Sequence, residues 1–142
     1  MDELVVYRVF KRKYAADPIS GIGSLYASGR WNRVGSRILY TAESLSLAVI
    51  ETLIHLEAES SLENYQYVRI FLPLSKVVSF PESQYEGWRE DESLTQSLWQ
   101  AFSSVQPARL AWRVPSAALL EGYNYLLNPQ HGEYSALVRF EG

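Results

Sequence analysis

The chain has 142 residues, with thirteen Lys and Arg against sixteen Asp and Glu, a formal charge of −3, and no cysteine. That length suits one domain able to bury a core; the acidic balance argues against direct binding of DNA or RNA, and the missing cysteines exclude disulfides and thiolate metal sites, which suits a reducing cytoplasm. The start "MDELVVYRVF" lacks a basic n-region, and no apolar run approaches the ~20 residues that span a bilayer, so a soluble protein is expected.

Taken in chain order, "LVVYRVF" (residues 4–10) and "RILYT" (residues 37–41) have the β-branched and aromatic content of strands. Between them, residues 11–36 form a long irregular stretch punctuated by "DP", "SGIGS" and "SGRWN", and connections of that length are usually functional or mobile. Residues 44–58, "SLSLAVIETLIHLEA", predict a helix: Leu45, Ala48, Val49, Thr52, Leu53 and Leu56 form a stripe that Leu47, Ile50 and Ile54 thicken. Such a helix should be largely internal, yet Glu51 sits in its middle, with His55 four residues on along the same face. Residues 65–74 and 76–80 read as strands. After the polar "PESQYEGWRED" comes a second helix, residues 92–104, with Asp91 as N-cap and a stripe of Leu94, Leu98, Ala101, Phe102 and Val105. Residues 109–114 predict a strand stopped by Pro115. "PSAALLEGYNYLLNP" reads as irregular or a short helical turn, and "YSALVRF" as a last strand. Two helices with five or six short strands point to α+β, not a wound parallel sheet.

Several familiar chemistries are excluded. "GIG" at residues 21–23 lacks the third glycine and the strand–helix frame of a dinucleotide fingerprint. His55 and His131, without cysteine, make no convincing metal site, and no metal is expected. There is no Walker A sequence, no H-E-x-x-H and no G-x-S-x-G. What remains is polar residues where a core would prefer none. Glu51 needs solvent, an arginine or a ligand; one wet helix edge is the plainer explanation. Arg30, flanked by glycine, can fork onto a carboxylate or phosphate, or simply tie down its loop by a salt bridge. Arg8, mid-strand, can serve as such a partner instead. Ser116 after its proline favours a turn or N-cap, Asn124 and Asn128 in "NYLLNP" favour Asx-turns, and Tyr40 favours a core position with its hydroxyl bonded over stacking on a flat ligand.

In order, "YRVF", "SGRWNRVG", "ILYTAESLSLAVIETLIHL", "RVPSA" and "NYLLNP" resemble the RES domain family, the toxins of RES–Xre toxin–antitoxin modules. The family is named for an arginine, a glutamate and a serine, which fall here on Arg30, Glu51 and Ser116. The resemblance runs from Tyr7 to Arg139 and makes residues 1–142 a single RES domain; members usually continue a little past the last strand, whereas this sequence ends at Gly142.

The resemblance implies an ADP-ribosyltransferase-like fold, two small antiparallel or mixed sheets with flanking helices around an NAD cleft. It implies a bacterial cytoplasmic enzyme that breaks the nicotinamide–ribose bond of NAD, with water or inorganic phosphate as acceptor, so that NAD is substrate and no separate cofactor is needed. It implies an Xre-type helix-turn-helix antitoxin that blocks the active site, and it is compatible with a homodimer. Glu51 would be the catalytic carboxylate, Arg30 the fork for the pyrophosphate, and Ser116 and Tyr40 the residues that place the nicotinamide riboside end. Arg8 and Asn124 would add NAD contacts, the division between Arg8 and Arg30 being open. Nicotinamide departs from a cationic pyridinium as a neutral amide, so the acid that ordinary glycosidases need is dispensable and one carboxylate suffices. Trp31 then reads as the anchor of the Arg30 segment, its loss loosening NAD binding more than stability. Transfer of ADP-ribose onto a macromolecule and a non-catalytic binding module are the alternative functions.

Overall fold

A computed structural model describes residues 2–54, 56 and 61–142. Its elements are β1 (Glu3–Lys11), β2 (Leu39–Ala42), α1 (Leu45–Ile54), β3 (Tyr65–Pro73), β4 (Val77–Ser79), α2 (Glu92–Ser104), β5 (Ala111–Pro115), β6 (Tyr123–Leu127), α3 (Tyr134–Leu137) and β7 (Arg139–Glu141). The strands form a seven-stranded sheet in the order β4-β5-β6-β2-β1-β3-β7. Every pairing is antiparallel except β4 with β5. The α+β class is as expected. In place of two small sheets there is one, whose two lobes meet at a narrow seam: β1 and β2 share the single registered pair Tyr7↔Ala42, whereas β1 and β3 run together from Glu3↔Pro73 to Lys11↔Tyr65.

Alternation along the strands sorts the core onto two faces. On one face Val6 and Phe10 join Leu39, Val68, Ile70, Leu72, Leu127, Tyr134 and Val138. On the other, the cross-strand partners Tyr7, Ala42, Asn124 and Val114 lie in one row, as do Tyr40, Leu126 and Trp112. Two separate apolar clusters cover that second face. Leu47 and Ala48 of α1 pack with Ala42, Tyr7 and Val9 at the β1–β2 end. Trp99 and Phe102 of α2 pack with Trp31, Phe80, Trp88, Trp112 and Leu126 at the β5–β6 end. Asn124 and Tyr40 belong to the strip of sheet between these two helices.

Several expected elements change. "NYLLNP" is not turn chemistry: residues 123–127 are the buried strand β6, inserted between β5 and β2. Both faces are covered over Tyr125–Leu127, so the strand lacks the apolar/polar alternation that would have marked it. "YSALVRF" divides into the short helix α3 and the three-residue strand β7. The first helix buries Leu47 and Ala48 but leaves Ile50, Leu53 and Ile54 exposed, because a helix laid on one sheet face hides one stripe only. His55 and residues 57–60, hence the Glu51–His55 pairing, lie outside the described residues. The second helix has the expected bounds and its Asp91 cap accepts from Leu94 N at 3.0 Å. Its stripe is rotated: Thr95, Trp99 and Phe102 are buried while Ala101 and Val105 are exposed. Trp99 makes the difference, since filling a buried site with indole gains more than burying an alanine. No helix among the described residues is long and apolar enough to cross a membrane.

Candidate active site

Glu51 lies on the sheet-facing side of α1 and is half-buried. Its two carboxylate oxygens accept from two other elements. Ser116 Oγ donates to Oε2 at 3.0 Å, and Asn124 Nδ2 donates to Oε1 at 2.9 Å. Each donor is itself fixed. Ser116 is fully buried, and its hydroxyl oxygen accepts from Ala118 N at 3.1 Å and Leu119 N at 3.2 Å, while Asn124 Nδ2 also donates to Thr41 O at 3.1 Å. A carboxylate gripped on both oxygens by pre-ordered donors holds one orientation, which is what electrostatic stabilisation of a developing charge requires.

In front of Glu51 opens a cavity of about 280 Å³ lined by Tyr7, Arg8, Tyr40, Thr52 and Tyr65 among others, in which Glu51 is the one acidic residue among the described lining. That volume is near the lower end of ligand sites, roughly 300–1,000 Å³, room for one end of a dinucleotide. Arg8 enters where β1 and β2 part: its Nη1 donates to Tyr40 O at 3.2 Å, and its buried Nε has no hydrogen-bond partner among the described residues. Burial draws its guanidinium below the ordinary arginine range, opposed by the neighbouring Tyr134.

Arg30 stands outside the cavity and is joined to Ser116 through Arg89. Its Nη1 donates to Arg89 O at 2.8 Å, and it is not among the residues lining the cavity, although its charge acts on Tyr40. No salt bridge to Arg30 exists among the described residues, so the loop-tying ion pair is absent. Its segment is held almost entirely through the main chain. Thr95 Oγ1 donates to Arg30 O, Gln96 Nε2 donates to Gly29 O at 2.9 Å, and Trp31 N donates to Tyr40 Oη at 3.0 Å. Tyr40 Oη in turn donates to Asn32 Oδ1 at 2.6 Å, and burial pushes this hydroxyl above the usual tyrosine range. Gly29 is required here, because a Cβ at that position would stand 2.7 Å from Tyr40 Oη. Trp31 is the expected anchor, 3% exposed and edge-on to Phe80 and Trp112 at 5.2 and 5.6 Å between centroids.

A model of the RES domain matches residues 5–140. The chain belongs to the RES domain family. Among its relatives, a protein named Toxin Res from Yersinia enterocolitica is 31% identical over 137 residues, covering 95% of this chain and 90% of the relative. A protein from a Sphingobium strain named Prs ADP-ribosylating toxin is 36% identical over 125 residues, covering 84% of this chain and 78% of the relative. Among solved structures, the M. tuberculosis MbcT–MbcA toxin–antitoxin complex contains a chain that superposes with a TM-score of 0.67 at 17% identity, over 99% of this chain and 82% of that one. That likeness supports the fold.

Within this RES domain the predicted residues take unequal places. Arg8, Tyr40 and Glu51 line the cavity; Ser116 and Asn124 stand behind Glu51; Arg30 is attached beside them. Two residues have protein partners that the sequence does not reveal. Ser116, expected to place the nicotinamide riboside end, is fully buried and addresses Glu51 instead, while its turn-forming bonds to Ala118 N and Leu119 N exist as well. Asn124, expected in an Asx-turn or against NAD, sits mid-strand and spends its amide on Glu51 and Thr41. Asn128 forms the expected Asx-turn, its Oδ1 accepting from Gln130 N at 3.1 Å, while its Nδ2 donates to Ser103 O and Arg109 O. Tyr40 has the bonded hydroxyl of a core tyrosine and is among the residues that line the cavity. Arg89, Thr95 and Gln96 were missed: they sit in a polar loop and on a helix flank, where nothing in the local pattern separates them from solvated residues.

Proposed function

We propose that this RES domain is the toxin of a toxin–antitoxin module and that it cleaves NAD between nicotinamide and ribose. The observation that carries the reading is Glu51: a carboxylate braced on both oxygens, the one acidic residue among the described lining of a cavity that Arg8 also lines. A glycosidase acting on a neutral leaving alcohol needs a second carboxyl group about 5–9.5 Å away to protonate it. A pyridinium leaving group needs no such acid, so one carboxylate among the described lining matches nicotinamide better than a sugar alcohol. Glu51 then hydrogen-bonds the ribose hydroxyls and stabilises the oxocarbenium-like charge as the glycosidic bond lengthens. Its second task is to orient the incoming water or phosphate oxygen toward the anomeric carbon. Arg8 supplies positive charge for the pyrophosphate from inside the cleft, and Arg30 supplies it from the rim. Nicotinamide leaves with the bonding electron pair, which neutralises its ring nitrogen; the acceptor oxygen bonds the ribose carbon and loses its proton to solvent.

Growth arrest by NAD depletion follows, relieved when a helix-turn-helix antitoxin occupies the mouth of the cleft. Support for a partner comes from the structural neighbour, a toxin bound to its antitoxin. The relative named an ADP-ribosylating toxin favours a second reading, transfer of ADP-ribose to a macromolecule. Mass spectrometry of NAD incubated with the purified protein, with and without phosphate and with and without added cell lysate, separates the two. Free ADP-ribose or its phosphate ester supports NAD cleavage; mass added to lysate protein, with little free ADP-ribose, supports transfer.

A further inference from the structure

We infer that Arg89 is a positioning residue that couples the Arg30 segment to the Ser116–Glu51 pair, an inference that rests on Glu51 being the reacting carboxylate. Arg89 follows Gly87, whose φ of 79° opens the 3₁₀ turn Trp88–Glu90. Three hydrogen bonds run in series through this residue. Arg30 Nη1 donates to Arg89 O at 2.8 Å, Arg89 Nη1 donates to Ser116 O at 2.8 Å, and Ser116 Oγ donates to Glu51 Oε2 at 3.0 Å. Main chain thus serves one partner and side chain the other.

Three features make this a brace and not a chance surface contact. The guanidinium lies 4.7 Å from the centroid of Trp88, a 5% exposed member of the aromatic cluster that also holds Trp31, so its base is rigid. Its acceptor, Ser116 O, belongs to a residue with no solvent exposure, whose amide is tied to Gly122 O at 2.8 Å. No carboxylate pairs with Arg89 among the described salt bridges, so its charge is spent on a backbone carbonyl. A charged donor on a carbonyl makes a stronger bond than a neutral one and fixes the residue that owns that carbonyl. The residue so fixed is the one whose hydroxyl aims Glu51.

Arg89→Met keeps the stem on Trp88 and removes the donor; Arg89→Lys keeps a donor. Amide hydrogen exchange tests the brace independently of any activity. In Arg89→Met the amides of Ala118 and Leu119, both bonded to Ser116 Oγ, should exchange about tenfold faster, while amides of β6 keep their rates. Unchanged rates at Ala118 and Leu119 overturn the proposal whether or not NAD is cleaved. The second readout is a double-mutant cycle on nicotinamide release. Arg89→Met should lower kcat about tenfold in the parent and less than about twofold in a Ser116→Ala background, because both changes act on the same carboxylate. Arg89→Lys should recover part of the loss. Equal losses in the two backgrounds would mean that Arg89 supports the fold at large and does not act through Ser116. A parent protein that releases no nicotinamide would instead sink the functional reading and leave the exchange result to decide the brace.

Discussion

Glu51 receives hydrogen bonds from residues 65 and 73 positions further along the chain, so its orientation depends on the tertiary fold. Removing its charge should therefore hurt chemistry and spare structure. Glu51→Gln is expected to lower nicotinamide release by at least about a hundredfold, the scale of losing a main electrostatic stabiliser, with a circular dichroism spectrum like the parent's. Ser116→Ala acts from behind: it strips one donor from Glu51 and leaves the N–H groups of Ala118 and Leu119 unsatisfied. It should cost about 1–3 kcal/mol in urea unfolding as well as activity, and unchanged stability would contradict the buried assignment of that hydroxyl. Tyr40 and Tyr134 carry a pH signature. Burial raises both hydroxyls above their ordinary value, so the unfolded chain ionises from about pH 10 while the folded chain keeps its protons. Stability is then full below that pH and falls above it, by up to about 1.4 kcal/mol per pH unit for each residue. Urea midpoints between pH 8 and 11 measure this, and Tyr134→Phe should flatten part of the slope. At this scale the sequence supplied the residue types but not their duties. Glu51 stood out because a carboxylate is rare in an apolar helix, whereas nothing local to Asn124 or Ser116 reveals that each faces Glu51 from a distant element.

The elements show where periodicity succeeds and where it misleads. The second helix was legible to its ends because the Asp91 cap and the polar flank are local features. Asp91→Ala should cost about 1 kcal/mol of stability, read from the denaturation midpoint. The same helix was misread in rotation, since counting aliphatic residues overlooked Trp99, which is completely buried and stacks on Phe102 at 5.5 Å. Strand β6 escaped because burial on both faces of Tyr125–Leu127 erases alternation, and because Asn124 lies within four residues of Asn128, which does form an Asx-turn. The Arg30 segment is the reverse case. Its irregular composition marked it as functional, and the structure supplies the reason for its order: Trp31 in an aromatic cluster and main-chain bonds from Thr95 and Gln96. That depth changes the expected effect of Trp31→Ala. Emptying so buried a site costs about 3–5 kcal/mol, a large part of the roughly 5–15 kcal/mol that holds a domain together. Thermal denaturation should record a stability loss greater than the loss of NAD affinity, opposite to the order expected from the sequence.

For the molecule as a whole, the arrangement follows from one sheet carrying two helices on the same face. Each helix brings its own apolar cluster, and the strip between them is left to polar side chains from β2, β6 and α1. Where β1 and β2 part, Arg8 crosses the gap to Tyr40 O. Family membership was legible because five short blocks keep their order along the chain; the seam between the lobes was not, since strand pairing across residues 11–36 has no local signature. The central claim is that the braced Glu51 carboxylate breaks the nicotinamide–ribose bond. Its most direct test is chromatographic quantification of free nicotinamide from NAD incubated with purified parent protein and with Glu51→Gln, in matched phosphate buffer. The account predicts nicotinamide accumulating with NAD loss in the parent and a near-flat trace in the variant. NAD left intact by the parent, or equal release by both proteins, would contradict it.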